Sequence, residues 1–152
     1  MAYALSSYLG SDPLARWVLV AGVAAGLASI GQLVVGELMT YKAAHGSDPD
    51  TVRTLFNVLN NGDTVKIALL AAMIATASVA ARRANAFPRW LATGGLVFSP
   101  LLLVSGLAFP FRSTALYALL ELTLLLLLIW VLSVTVVVAR RTRGPSAVAA
   151  PA

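Results

Sequence analysis

Four stretches of this chain run for a helix's worth of residues with almost no charge, and that pattern limits the fold more than any other feature. Trp17 to Gly36 supplies 20 uncharged residues and Ile67 to Ala81 supplies 15. Trp90 to Phe111 supplies 22, and Ser113 to Ala139 supplies 27, broken only by Glu121. About 20 apolar residues in helical form cross the hydrocarbon core of a bilayer. Lipid offers the backbone no hydrogen bonds, so a spanning segment satisfies its own polar groups as a helix or within a closed barrel. Runs this long, without period-two alternation, read as helices. The chain has 152 residues, of which only 11% are charged. Soluble domains carry about 25%, so most of this surface is expected to face lipid.

The expected fold is all-α: one transmembrane four-helix bundle, with a short amphipathic outer helix between spans 1 and 2. The spans are placed at about 14–40, 64–81, 89–109 and 114–139, within a single membrane domain over 1–143. Residues 144–152 are small and Pro-containing and read as a disordered tail. The first span is too long and too glycine-interrupted for a signal-peptide core, so it reads as a retained helix. Asp12-Pro13 places a cap and an N1 proline before it. Asn61-Gly62-Asp63 reads as the end of one helix and the cap of the next. The outer helix, about 49–60, has Pro49 at N1, and Val52, Leu55, Phe56 and Leu59 fall on one face. It is expected to lie over the mouth of the bundle. Pro100, inside the third span, is expected to bend it.

Seven basic residues (Arg16, Arg82, Arg83, Arg89, Arg140, Arg141, Arg143) fall on one side by alternation, and four (Lys42, Arg53, Lys66, Arg112) on the other. Five of the six acids share the second side. This bias places both termini in the cytoplasm. It also reads the arginines as topology signals and lipid headgroup contacts rather than a nucleic-acid surface, so nucleic acid is not an expected partner. With no cysteine and one histidine, thiol redox chemistry, disulfides and a heme held by two histidines of one chain are excluded. No metal site or cofactor is expected. His45, Asp48 and Asp50 read as solvated loop residues.

Ionisable groups in hydrocarbon cost several kcal/mol unless paired or hydrated, which makes them functional candidates. Glu37, Lys66, Arg112 and Glu121 fall near the outer ends of the spans. At ~1.5 Å per residue, Glu37 lies roughly 31 Å along the helix from Arg16, and Lys66 roughly 24 Å from Arg82. Glu37, Lys66 and Glu121 are expected to face inward and meet, with Arg112, Tyr117, Gln32 and Asn57 bordering the same site. The preferred function is binding of a small hydrophobic or amphipathic molecule in an outer-leaflet pocket lined by these paired charges. One alternative is a membrane-embedded acid/base enzyme of the isomerase or cyclase kind. In it the deeper Glu121 is the protonated acid and Glu37, beside Lys66, the anion. The other alternative is an accessory subunit packing against partner membrane proteins, with the charges fixing helix register. Gly22 and Gly26 form a close-approach motif for helix contact within the monomer or for a homodimer seam.

The stretch Arg82 to Gly95, with its Phe87-Pro88-Arg89-Trp90-Leu91 core, resembles the link before a late span in small four-span bacterial integral membrane proteins. Ile129-Trp130-Val131-Leu132, running to Ala139-Arg140-Arg141, is similar to the end of their last span. The resemblance covers about the second half of the chain. It implies a multi-pass protein of the bacterial inner (plasma) membrane, and it carries no activity and no functional residues with it. The small multidrug exporters also have four spans and a membrane glutamate. This chain departs from them in its length, its outer loop and its one-sided charge.

Overall fold

A computed structural model describes residues 2–9, 13–46, 48–111 and 114–142, and every described element is helical. The elements are α1 (Ala2–Leu9), α2 (Pro13–Ala44), α3 (Pro49–Arg83), α4 (Arg89–Ser105), α5 (Ala108–Phe111) and α6 (Thr114–Thr142). Three of them, α2, α3 and α6, are long and apolar enough to cross a membrane, and α4 is a shorter apolar helix of 17 residues. The chain is thus a membrane-embedded all-α protein.

The first difference from expectation is the continuity of α3. The outer helix and the second span are one 35-residue helix, and Asn61-Gly62-Asp63 neither ends nor starts anything. A glycine inside a helix costs about 1 kcal/mol relative to alanine, and here packing offsets it. The Gln32 side chain of α2 lies across Gly62, where a Cβ would meet Gln32 Nε2 at 3.0 Å. Gln32 also donates to the Leu59 carbonyl at 3.1 Å. The same stretch is therefore no lid over the bundle but the outer half of an α2–α3 hairpin. Pro49 does occupy the first turn of α3, and Asp48 sits at the N-cap without a side-chain capping bond.

Lengths fix how that hairpin stands. At ~1.5 Å per residue, α2 and α3 are roughly 48 and 52 Å long, whereas α4 is roughly 26 Å. The tight α3–α4 turn keeps the inner ends level: Ala84 N–H donates to the Ala80 carbonyl at 3.0 Å and Ala86 N–H to the Ala81 carbonyl at 2.8 Å. Asn85 turns the chain with φ 50°, a left-handed conformation that asparagine tolerates better than most residues. The surplus length of α2 and α3 accordingly lies at the opposite end, here called the outer end.

The core sits along α3. The largest interface is α2 with α3, followed by α3 with α4 and α4 with α6. Ile67, Ala71, Ile74, Ala77 and Ala81 form its buried stripe, at the spacing a packed helix face requires. On α2 the stripe is confined to Ala15, Val18, Ala21 and Ala25, all in the inner half. The helix α1, which the sequence reading passed over, buries Leu5 and Leu9 in this core and packs on α2 and α3. Eight residues are too few to signal a span, and only the docking site gives them a reason to be helical. α4 continues as helix through Pro100 to Ser105.

Candidate functional site

Glycine lets three helices close at the inner end. A Cβ on Gly95 of α4 would fall 2.1 Å from Ser78 Oγ of α3 and 2.8 Å from Trp130 Nε1 of α6. Trp130 donates its indole N–H to the Leu91 carbonyl at 3.3 Å. Nearer the outer end, Thr123 of α6 donates to Ser105 Oγ at 3.0 Å, and Ser105 donates to the Leu102 carbonyl at 2.7 Å. These groups are buried and fasten α4 to α6.

The opposite flank is open. Away from that contact, α6 keeps its backbone close to α4 and α5 and not to α2 or α3. A cleft of about 490 Å³ therefore separates α6 from the α2–α3 pair. Leu19, Gly22, Val23 and Gly26 of α2 form one wall, Leu127 and Val131 of α6 the other, and Leu70 and Met73 of α3 the floor, with Tyr3 of α1 at the edge. Ser29 and Lys66 lie at its outer end and also line a second, shallow and open cavity, of about 440 Å³, between the outer halves of α2 and α3. Gln32, Asp63, Phe56 and Asn60 line that second cavity.

Lys66 is the polar centre where the two meet. Its ammonium donates to Gln32 Oε1 at 2.9 Å and pairs with Asp63 Oδ1 at 2.5 Å. Gln32, held by its bond to Leu59, orients the ammonium from across the helix pair. Lys66 and Asp63 are each a little under one third exposed, so the pair borders the cavity rather than being sealed in the core. An ammonium has three donors in tetrahedral arrangement. Two are used among the described residues, which leaves one for a ligand acceptor.

The residues expected to form the site are distributed differently. Gln32 and Lys66 come together. Glu37 and Glu121 are exposed, line neither cavity, and form no ion pair among the described residues. The carboxylate beside Lys66 is Asp63, one helical turn away, and not Glu37 or Glu121. Tyr117 lies edge-on to Phe109, with ring centroids 6.1 Å apart, and Asn57 is exposed. Arg112 lies outside the described residues, as do Asp12 and the 144–152 tail. Sequence reasoning missed Asp63 because it served there as the cap of a new helix. Once the helix is continuous, its i, i+3 spacing from Lys66 is the signal. Of the Gly22–Gly26 pair, Gly26 departs from the expected contact within the monomer: a Cβ there would meet nothing within 4 Å, so this glycine borders a cleft. His45 stacks on Tyr41, with centroids 4.1 Å apart, and its Nδ1 lies 2.8 Å from the Tyr41 carbonyl.

No protein-family model matches the chain, and comparison with curated proteins and with solved structures gives no match.

Proposed function

We propose that this protein binds a small amphipathic molecule in the cleft between α6 and the α2–α3 pair, with the polar end of the ligand at Lys66. The observation that carries this reading is the position of Lys66 and Ser29 on both cavities at once. One long apolar slot thus ends on a cation with a donor to spare. The apolar part follows Leu70 and Met73 on α3, roughly 10 Å from Lys66 at ~1.5 Å per residue. A carboxylate, hydroxyl or carbonyl at its head accepts from Lys66 and replaces water there. The slot opens sideways toward lipid, so a hydrophobic molecule enters without crossing water. Apolar walls with few polar groups at one end are the usual makeup of a small-molecule site.

In the same reading the bundle has four spans, α4 together with α5 making the third. Both termini face the cytoplasm, the protein resides in a bacterial inner membrane, and it is kin to small four-span bacterial membrane proteins. The ligand then enters from the outer leaflet. Cysteines at Thr51 and Ser146 test the orientation: an impermeant reagent on intact cells should label the first and spare the second.

The binding test is extraction. Wild-type protein, purified in a mild detergent and extracted with organic solvent, is expected to yield a bound amphiphile near one per chain by mass spectrometry. Lys66→Met removes the polar anchor, and Gly26→Leu fills the apolar slot. Both should strip the molecule while leaving the melting temperature within a few degrees. Equal recovery from all three proteins would defeat the proposal.

A further inference from the structure

The polar end of the Lys66 cleft is electrically balanced. Across the apolar slot and the outer cavity, Lys66 and Asp63 are the only charged lining residues among those described. They pair with each other at 2.5 Å, so the lining carries no net charge. Lys66 also donates to Gln32 Oε1 at 2.9 Å, and Gln32 Nε2 donates to the Leu59 carbonyl at 3.1 Å. The glutamine is thus held from both ends of its amide. Open to a guest are the third N–H of Lys66 and Asp63 Oδ2, which has no hydrogen-bond partner among the described residues. A donor and an acceptor stand side by side. Asn60, three residues before Asp63 and so on the same face of α3, adds an amide to the outer cavity.

The geometry of the ion pair decides between kinds of head. Ammonium donors point tetrahedrally, so an acceptor at ~2.9 Å from the third N–H stands about 4.4 Å from Asp63 Oδ1. For a carboxylate at that point, repulsion from Asp63 cancels roughly two-thirds of the attraction of Lys66, in the ratio of the two distances. Its desolvation then goes largely uncompensated. An ester or ketone accepts from Lys66 but offers Asp63 nothing, because an ionised carboxylate only accepts. A hydroxyl both donates and accepts. Two hydroxyls on adjacent carbons lie roughly 3 Å apart when gauche. One can therefore accept from Lys66 while the other donates to Asp63.

We infer that the amphiphile held at Lys66 is a neutral lipid with a 1,2-diol head, of the monoacylglycerol kind, and that Asp63 sets this preference. This rests on the reading of the cleft as an amphiphile site and adds what the head is. The diol sits where the two cavities meet, at the two residues they share, Ser29 and Lys66. The acyl chain follows Leu70 and Met73, between Gly26 of α2 and Val131 of α6. The outer cavity is open, so the far side of the head keeps its water, and the choice is made by the atoms that touch the ion pair.

The test offers the full-length protein, purified in mild detergent and stripped of lipid, three tritiated probes with the same chain: 1-monooleoylglycerol, methyl oleate and oleate. Binding is read as probe that co-elutes with protein, at about pH 9, where oleate is ionised and lysine still charged. Monooleoylglycerol is expected to bind about ten-fold more tightly than either of the others, the worth of one hydrogen bond to a charged group. Asp63→Asn removes the charge that repels an anion and should reverse the order, with oleate ahead. Glu37→Gln, at an exposed acid that lines neither cavity, should leave the order intact. Gly26→Leu should abolish retention of all three. Wild-type protein that binds the three equally, or prefers oleate or methyl oleate, overturns the diol head and leaves the amphiphile site standing, a result that needs no variant to fold. Wild-type protein that retains none of them removes the amphiphile site itself, and the diol with it. An Asp63→Asn protein that keeps the wild-type order overturns the role of Asp63. Reversal by Glu37→Gln as well would overturn it in favour of diffuse surface charge.

Discussion

Gly95 and Gly26 are both glycines in apolar helices, and they stand in opposite surroundings. At Gly95 a single added carbon would strike Ser78 and Trp130, whereas at Gly26 it would meet open space. The contrast holds for the regions around them. Of its most apolar window, α3 buries 44% of residues, whereas α2 buries 11%, all of that stripe in its inner half. The α3–α4–α6 contact is closed at Gly95, and buried hydrogen bonds fasten α6 to α4. The flank between α6 and α2 is open, and Lys66 marks its end. A membrane bundle has no hydrophobic drive to close such a gap, because lipid tails are as apolar as leucine. Helices close where small residues allow contact, and elsewhere the gap persists as a place for a guest.

The sharpest way to break this comparison is Gly95→Ala. Overpacking of a closed contact costs about 1–3 kcal/mol, and a loss near the upper end is expected in reversible unfolding from mixed micelles. Adding Ser78→Ala removes the nearer of the two groups that the new methyl strikes and should restore part of the loss, with the Trp130 contact remaining. Ser78 Oγ is buried without a hydrogen-bond partner among the described residues, so Ser78→Ala alone should be neutral or slightly stabilising. Should Gly95→Ala prove harmless, the closed end is not closed. Thr123→Val comes next. It removes the α6–α4 hydrogen bond to Ser105, and about 1 kcal/mol is expected from the same measurement.

At the open flank the effects on stability are smaller and those on binding larger. Lys66→Met breaks a pair that water or headgroups can reach, and such pairs contribute less than about 1 kcal/mol. Its expected signature is loss of the bound amphiphile with a nearly unchanged melt. A collapse of the fold would mean instead that the Gln32–Lys66–Asp63 group is structural. The smallest effect belongs to Gly26→Ala, which should lie within about 0.5 kcal/mol of wild type. A large loss there, or a change in mass by light scattering, would place a second copy of the chain against this glycine.

How much of this was legible beforehand differs by residue. Pro13 and Pro88-Arg89 announced the starts of α2 and α4, because proline at or just before the first turn acts through its own backbone. Gln32 and Lys66 stood out as polar groups in apolar runs, and the structure brings the two together. Their partner was not. The Asn61-Gly62-Asp63 triplet carries strong local signals for a break, and those signals hid Asp63 as a helical neighbour of Lys66. Glu37 and Glu121 sit at similar depth by arithmetic along their helices. Depth says nothing about which way a helix is rotated, and both face outward.

Long uncharged runs without period-two alternation were enough to specify an all-α membrane chain, because each such run satisfies its own backbone in lipid as a helix. A lysine at the edge of an apolar run was legible in the same way. Packing between helices settles the rest: α3 runs unbroken, α1 docks as a helix, Lys66 meets Asp63 and Gln32, and a cleft opens beside it. Those outcomes depend on which faces of neighbouring helices touch. The faces of α2 and α6 are apolar nearly all round, so no periodicity in the chain marks one side as inward, and only the packed neighbours make the choice.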